Sequence, residues 1–169
     1  MIDRLFVDYS IQKLGQASGR IGVCLDKLSE EQVWAKGGGN ENAVGNLVLH
    51  LCGNIGQWLI SGVGGAPNTR DRDAEFAALG GIAVPELGAL LQRGVEDGTA
   101  VIRAQTEETL ARRIQVQKYD ITVLEAIYHV VEHFAGHAGQ IIFAAKMLTG
   151  EDLGFYGHLK YRAHAERTP

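Results

Sequence analysis

Apolar side chains recur every three to four residues along most of this chain, and that spacing limits its fold more than any other feature. Residues 3–28 show it first, and Leu87, Leu91 and Val95 repeat it after Pro85. Because about 3.6 residues make one helical turn, this spacing aligns apolar side chains along one side of a helix. The pattern predicts amphipathic helices that bury one face against each other.

Glycine-rich and polar stretches divide the chain into four such helices. We predict them over residues 3–28, 42–63, from about 85 to beyond 102, and 122–148. A short extended segment is expected at 113–119, and residues 61–83 form a long connection rich in glycine and charge. Four helices with one long connection are typical of a four-helix bundle in which the connection links helices that are not antiparallel neighbours. The predicted fold class is therefore all-α.

The length of 169 residues allows one domain with its own core. An apolar fraction of 46% and a mean hydropathy of -0.04 are typical of a globular protein. We expect the bundle to occupy residues 1–150. A polar C-terminal tail over 151–169 should pack on the same domain or extend from it, with His158 and His164 solvated.

Composition and charge exclude several classes of protein. The net charge is -4 and the basic residues are scattered, which argues against binding to nucleic acid. No apolar run is long enough to span a bilayer, and the first ten residues carry charge where a signal peptide is apolar. We therefore expect a cytoplasmic protein without a membrane partner. Cys24 and Cys52 are too few for a disulfide scaffold and are expected to be buried on separate helices.

The strongest chemical signal is a row of three histidines in the fourth predicted helix. His129, His133 and His137 are spaced four residues apart, so a helix stacks them one turn from each other, where imidazoles can share a metal ion. At about 100° per residue, His137 lies about 80° from the centre of the buried face, His133 about 120° and His129 about 160°. We expect His133 and His137 to face a site at the mouth of the bundle, and His129 to lie outside the ligand set.

A metal needs at least one more ligand, and His50 is the natural candidate because it lies in the middle of the second helix. Three imidazoles with an open position are typical of a catalytic site rather than a closed structural one. Neutral imidazole suits divalent zinc, nickel, copper or iron. Asn54, one turn after His50, and Gln140, near His137, are candidates to orient ligands or bound water.

The same residues allow plainer interpretations. His50 alone on an apolar helix is more often a core histidine with a hydrogen-bond partner, and the histidine row is compatible with a solvated face. Glu132 is expected to be an exposed charge. We expect Arg70 and Arg72 to lie in a salt-bridged loop, with binding of substrate carboxylates as the alternative. The HExxH motif is absent, and no glutamate has a histidine three residues later, as ferritin-like sites require.

Several stretches taken together resemble the DinB-like superfamily, in particular a branch of undefined function. They are residues 46–51, 53–54, 57–58, 70–76, 129–133 and 137–141. The resemblance spans about residues 1–150. It implies a DinB-type four-helix bundle with the long connection between helices two and three. It also implies a divalent metal held by His50, His133 and His137.

The resemblance also suggests a function. Members of this superfamily include thiol-dependent transferases and isomerases that use low-molecular-weight thiols such as bacillithiol or mycothiol, and many members are homodimers. One hypothesis is therefore a metal-dependent transferase, or a related hydrolase or isomerase, that acts on a small molecule. The alternative is a non-catalytic metal-binding or dimerisation module. A third hypothesis is that no metal binds and that the histidines are surface polar groups.

Overall fold

A computed structural model describes residues 1–157, so His158, His164 and most of the expected tail lie outside the described residues. In chain order the elements are α1 (Ile2–Leu25), α2 (Glu30–Val33), α3 (Val44–Ile55), a π-helix (Gly56–Val63), α4 (Arg72–Ala77), α5 (Val84–Arg103), α6 (Glu107–Ala111), β1 (Arg113–Val116), β2 (Tyr119–Thr122) and α7 (Val123–Thr149). The long helices match the four predicted ones, and the all-α fold class is confirmed.

Four long helices form the bundle, and the core lies between them. α1 packs against α5 and α7, and α3 packs against the same two helices. Each helix contributes fully buried apolar side chains, and the largest include Leu14, Leu51, Leu87 and Phe134. Burial of such a side chain stabilises the fold by about 1.5–3 kcal/mol. The apolar spacing in the sequence therefore marks the faces that meet in the core.

α3 and α5 run parallel to each other along the bundle. Near their starts, a Cβ on Gly45 would meet the Trp34 ring, and the Trp34 indole N–H donates to the Ile82 carbonyl oxygen at 3.2 Å. Near their ends, a Cβ on Gly98 of α5 would lie 2.9 Å from Ile55, the last residue of α3. The connection between these helices must therefore return along the length of the bundle, as predicted for helices that are not antiparallel neighbours.

Local sequence signals account for the ends of α7. The Thr122 hydroxyl accepts a hydrogen bond from the Glu125 backbone N–H at 3.2 Å, and the Glu125 carboxylate accepts one from the Thr122 N–H at 2.7 Å. This reciprocal capping box satisfies N–H groups that the first turn leaves unpaired. At the other end Gly150 has φ of 69°, a conformation that glycine adopts without steric cost.

The structure differs from the sequence prediction in three places. The predicted helix over 42–63 changes from an α-helix to a π-helix at Gly56. Two or three turns of apolar spacing are too few to distinguish these two kinds of helix. α2, α4 and α6 were not predicted, because four to six residues are too few to show a period. The expected extended segment at 113–119 is an antiparallel hairpin, in which Val116 pairs with Tyr119. Within residues 1–157, no helix is both long enough and apolar enough to cross a bilayer.

Candidate metal centre

Three histidines from two helices meet at one point of the bundle. His50 of α3 and His133 and His137 of α7 each offer a ring nitrogen, and these atoms all lie within 4.8 Å of one another. The Nε2 atoms of His50 and His133 are 2.8 Å apart. The histidine triad, as we call these three side chains, is positioned to bind a metal ion.

A buried carboxylate fixes the orientation of His50. Glu75 Oε2 lies 2.9 Å from His50 Nδ1, and both side chains are largely buried. An ionised carboxylate only accepts hydrogen bonds, so this contact places the proton on Nδ1 and leaves the Nε2 lone pair free toward the triad. An Arg70 Nη also lies 3.0 Å from His50 Nδ1, but it donates to Glu75 Oε2 at 2.8 Å. Such a carboxylate is the usual partner of a metal-binding histidine.

Arg70 completes this arrangement. Its Nε donates to Glu75 Oε1 at 2.7 Å and one Nη donates to Glu75 Oε2 at 2.8 Å, a bidentate pair. Its other Nη donates to Gln57 Oε1 at 3.0 Å, and that same oxygen accepts from Gln117 of the hairpin turn at 2.8 Å. One network of hydrogen bonds therefore runs from the hairpin to His50.

Two neighbouring residues position Glu75 beside His50. The buried Asn46 side chain of α3 donates to the carbonyl oxygens of Glu75 and Ala78, which holds α4 against α3. Gly53 leaves space for the ion pair, because a Cβ there would overlap Glu75 and lie 2.8 Å from Arg70 Nε. A side chain at position 53 would therefore displace the carboxylate.

The other histidines have different surroundings. Gln140 Oε1 lies 2.7 Å from His137 Nδ1, so the amide oxygen can accept the Nδ1 proton and leave Nε2 free. The His129 ring stacks on the His133 ring with centroids 5.5 Å apart and packs on Trp58 at 4.0 Å. His129 therefore lies beside the triad as part of its wall.

Burial favours the neutral form of three histidines, His50, His133 and His129. It lowers the pKa of His50, and it lowers that of His133 to about 3, where the nearby His137 and His50 add to the effect. It also lowers the pKa of His129. Since a metal binds only the deprotonated nitrogen, His50 and His133 need no proton loss near pH 7 before they bind an ion.

The donor set fits a divalent metal ion. An ion bonded at about 2.0–2.1 Å to two imidazole nitrogens holds them about 2.9–3.4 Å apart, depending on the angle at the metal. The separation of 2.8 Å between the His50 and His133 Nε2 atoms is close to that range. Two neutral imidazoles cannot point bare lone pairs at each other over this distance, so either a proton or a cation has to lie between them.

A cavity of about 630 Å³ opens beside the triad. It is lined by His50 and His133, by Trp58 of the π-helix, by Tyr119 of β2 and by Asn54 of α3. Asn54 is 2% exposed and its Oδ1 has no hydrogen-bond partner among the described residues. The cavity gives a small molecule access to the open side of the triad.

The structure brings together the three histidines named from the sequence, with Gln140 on His137, His129 against His133, and Asn54 in the cavity wall. The expected salt bridge of the loop is present for Arg70, while the Arg72 guanidinium lies 5.0 Å from the centre of the Phe76 ring. Glu132 is exposed, as expected.

Sequence reasoning missed Glu75, Gln57 and Gln117. Nothing local separates Glu75 from Asp71 and Asp73, because all three are acidic residues in one charged stretch. Glu75 is distinguished only by the packing of α4 on α3, because that packing buries the Glu75 carboxylate and leaves Asp71 and Asp73 exposed.

The fold is that of DinB-like proteins. A DinB-like protein of Bacillus subtilis, YjoA, is 17% identical, with a TM-score of 0.67 over 88% of this chain and 97% of that chain. A conserved protein of Enterococcus faecalis is 14% identical, with a TM-score of 0.75 over 85% of this chain and 97% of that one. At these identities the likeness shows the fold alone.

Residues 2–156 match the family described as "Protein of unknown function (DUF1572)". The chain therefore belongs to this family. A search among curated proteins finds no match.

Proposed function

We propose that this chain binds a divalent metal ion through His50, His133 and His137, and that an open position on the ion takes a substrate atom. The observation that carries the proposal is the convergence of three imidazole nitrogens within 4.8 Å. Within residues 1–157 no cysteine or carboxylate joins this group, so one or more coordination positions are left to a ligand. An open site of this kind is typical of catalysis.

The residues around the triad support catalysis by a bound ion. When bound, a divalent ion held by three neutral imidazoles lowers the pKa of a coordinated thiol or water and so supplies a nucleophile. Glu75 and Gln140 hold His50 and His137 by their Nδ1 atoms, so both rings present Nε2. The Trp58 and His129 rings pack on each other with centroids 4.0 Å apart and line the cavity beside the triad.

We further propose that the nucleophile is a low-molecular-weight thiol and that the reaction is a metal-dependent transfer to a small electrophile. The support is the superfamily resemblance together with the cavity, which is large enough for a small organic molecule. Zinc, nickel and iron(II) all suit three imidazoles, so the metal is to be identified by measurement.

Elemental analysis of protein purified without a histidine tag tests the metal site. We expect a stoichiometric divalent metal in the wild type and its loss in His50→Ala and His133→Ala. His129→Ala is the matched control, because it removes an imidazole from the same helix face but not from the triad. Wild-type protein that stays metal-free after incubation with zinc, nickel and iron(II) would contradict the proposal.

A turnover assay tests the thiol transfer separately. Metal-loaded wild type and His133→Ala are compared across several thiols and electrophiles, with thiol consumption as the readout. Metal-dependent turnover that His133→Ala lacks would support the transferase. A metal-loaded wild type without turnover on a broad panel would instead favour a non-catalytic metal-binding module.

Exposed apolar residues support a homodimer, which either function allows. Ile2 and Leu5 of α1 are 75% and 62% exposed, and Leu124 of α7 lines the same groove at 41%. We propose that a second copy of the chain covers this groove. Sedimentation velocity of the wild type and of Leu5→Glu tests it, with a dimer expected only for the wild type.

A further inference from the structure

Two arginines of the connection between α3 and α5 line the cavity beside the histidine triad, and they differ in how they are engaged. Arg70 is 5% exposed in its side chain and donates to both carboxylate oxygens of Glu75. Arg72 is exposed, and within residues 1–157 it forms no ion pair and donates no hydrogen bond. Arg72 therefore brings to the cavity wall a positive charge that the described part of the chain leaves unpaired.

The Phe76 ring holds Arg72 near the triad. The Arg72 guanidinium carbon lies 5.0 Å from the centre of the Phe76 ring, and that centre lies 4.8 Å from the centre of the His50 ring. The guanidinium carbon is therefore no further from the centre of the His50 ring than the sum of these two distances. A cation over an aromatic face is attracted to it, so Phe76 restrains the guanidinium at this side of the cavity. One small molecule can thus contact Arg72 at one end and an ion on the triad at the other.

The remaining charges of this region do not neutralise Arg72. The Glu125 carboxylate lines the same cavity, but it accepts from the Thr122 N–H and hydroxyl and forms no ion pair with Arg72 in the described structure. Asp71 and Asp73 flank Arg72 in sequence, yet neither is among the described residues that line the cavity, and Asp71 caps α4. With a divalent ion on the triad, the cavity would carry a net positive charge, which favours an anionic ligand.

The chemistry of the wall favours a carboxylate among anions. The planar guanidinium fork matches the two oxygens of a carboxylate, with which it forms paired hydrogen bonds. A phosphate dianion is usually held by several cations or backbone N–H groups, whereas this wall offers one unpaired arginine and also carries Glu125. Trp58, Tyr119 and Ile121 line the same cavity and give the carbon chain of a small acid an apolar surface to pack on.

We propose that the ligand of this cavity is a small carboxylic acid, whose carboxylate accepts hydrogen bonds from Arg72 while a second atom of the same molecule occupies the open position of the metal ion. The inference rests on the proposed metal site, because the triad supplies the second point of attachment. It assigns Arg72 as the residue that determines specificity for an acid, whereas Arg70 holds the Glu75 carboxylate beside His50.

Three thiols with the same carbon spacer serve as probes. They are β-mercaptopropionate, its neutral amide β-mercaptopropionamide, and β-mercaptoethanesulfonate. The zinc content of each protein is measured first, and the Kd of each probe is then measured by calorimetry without oxygen. Cobalt(II)-substituted protein gives an independent readout, because a thiolate that coordinates cobalt adds an absorption band in the near ultraviolet.

The acid preference is the Kd of the amide divided by the Kd of the carboxylate. We expect it to fall about tenfold in Arg72→Gln, as loss of a charge-assisted hydrogen bond does. Arg93→Gln makes the same change at an exposed arginine of α5 outside this cavity and should leave the preference unchanged. Chelation of the metal by the carboxylate itself would contribute equally in all three proteins, so the comparison isolates position 72.

The sulfonate tests the choice of anion. It carries the same charge as the carboxylate but is a weaker hydrogen-bond acceptor, so its affinity should fall less than that of the carboxylate in Arg72→Gln. An equal fall for both anions would overturn the assignment of a carboxylic acid. The zinc content of Arg72→Gln should equal that of the wild type, because Arg72 is exposed and lies outside the triad.

The remaining outcomes separate the two proposals. Wild-type protein that takes up no zinc contradicts the metal site, and the inference falls with it. Protein that takes up zinc but has the same acid preference in wild type and Arg72→Gln overturns the inference alone. A fall of equal size in Arg93→Gln would also overturn it, because only the net charge of the protein would then matter.

Discussion

At the scale of single residues, the site depends on a carboxylate that forces one tautomer on a histidine. Glu75 accepts from His50 Nδ1 on one oxygen and from Arg70 on both. Arg70 and Glu75 are 5% and 9% exposed in their side chains, so neither charge is well solvated without the other. The His50 lone pair is thus aimed at the triad before any ligand arrives.

Glu75→Gln should therefore weaken zinc binding about 10- to 100-fold, the usual effect of removing the hydrogen-bond partner of a metal-binding histidine. The reason is that a neutral amide accepts a weaker hydrogen bond from the His50 Nδ1–H and forms no ion pair with Arg70. Competition with a chromophoric chelator measures the affinity. Glu132→Gln makes the same chemical change at an exposed position next to His133 and should leave the affinity unchanged. Equal losses in the two variants would show that only overall charge matters.

At the scale of elements, the capping box of α7 fixes where the histidine-bearing helix begins. The Thr122 backbone N–H and hydroxyl donate to the Glu125 carboxylate, and these bonds lower the pKa of Glu125 below its ordinary value of 4.5. A carboxyl group whose pKa is lowered by folding stabilises the fold above its unfolded pKa. That contribution is lost as the pH falls through the folded pKa.

Urea unfolding of wild type and Glu125→Ala at several pH values tests this. The wild type should be the more stable at pH 7, and the difference should shrink as the pH falls below about 4.5. Glu132→Ala, an exposed glutamate in the same helix, should show little difference from the wild type at any pH. A Glu125 effect that does not change with pH would mean that the carboxylate charge is not involved.

At the scale of the whole molecule, packing in the bundle lowers the reactivity of both cysteine thiols. Cys24 is buried on α1 and Cys52 is half-buried on α3. Burial raises the pKa of Cys24 to about 11 and that of Cys52 to about 12. The neutral thiol is therefore the form of the folded protein below pH 9, and neither cysteine is suited to supply the nucleophile of the proposed reaction.

Folded protein at pH 8 should accordingly react slowly with a thiol reagent such as Ellman's reagent, while protein in urea should react at both cysteines. The thiolate is the reactive form, and folding disfavours it. The absorbance of the released chromophore measures the rate, with glutathione as the reference for an unprotected thiol. Reaction of folded protein at the rate of glutathione would contradict the burial of both groups.

The division of the chain into a bundle over 1–150 and a tail over 151–169 stays a prediction, since residues 158–169 lie outside the described structure. Of the first tail residues, Leu153 is 8% exposed and belongs to the core cluster. We propose that this end of the tail packs on the bundle.

The sequence by itself determined the four long helices and the two histidines of α7. Both follow from a local rule, because about 3.6 residues per turn decides which side chains share a face. The angular argument separated His133 and His137 from His129 for the same reason. The sequence gives less support for His50, which rests on its position in the middle of another predicted helix and on the superfamily resemblance.

Only the tertiary structure decided what surrounds those histidines. Glu75 and Arg70 reach His50 from the long connection, and Gln117 reaches the same network from a hairpin 60 residues beyond Gln57. No periodicity relates residues so far apart, because their contact depends on how short, irregular segments pack on the bundle. The orphaned acceptor of Asn54 is likewise a property of its neighbours, since an asparagine in a sequence gives no sign of whether a donor will face it.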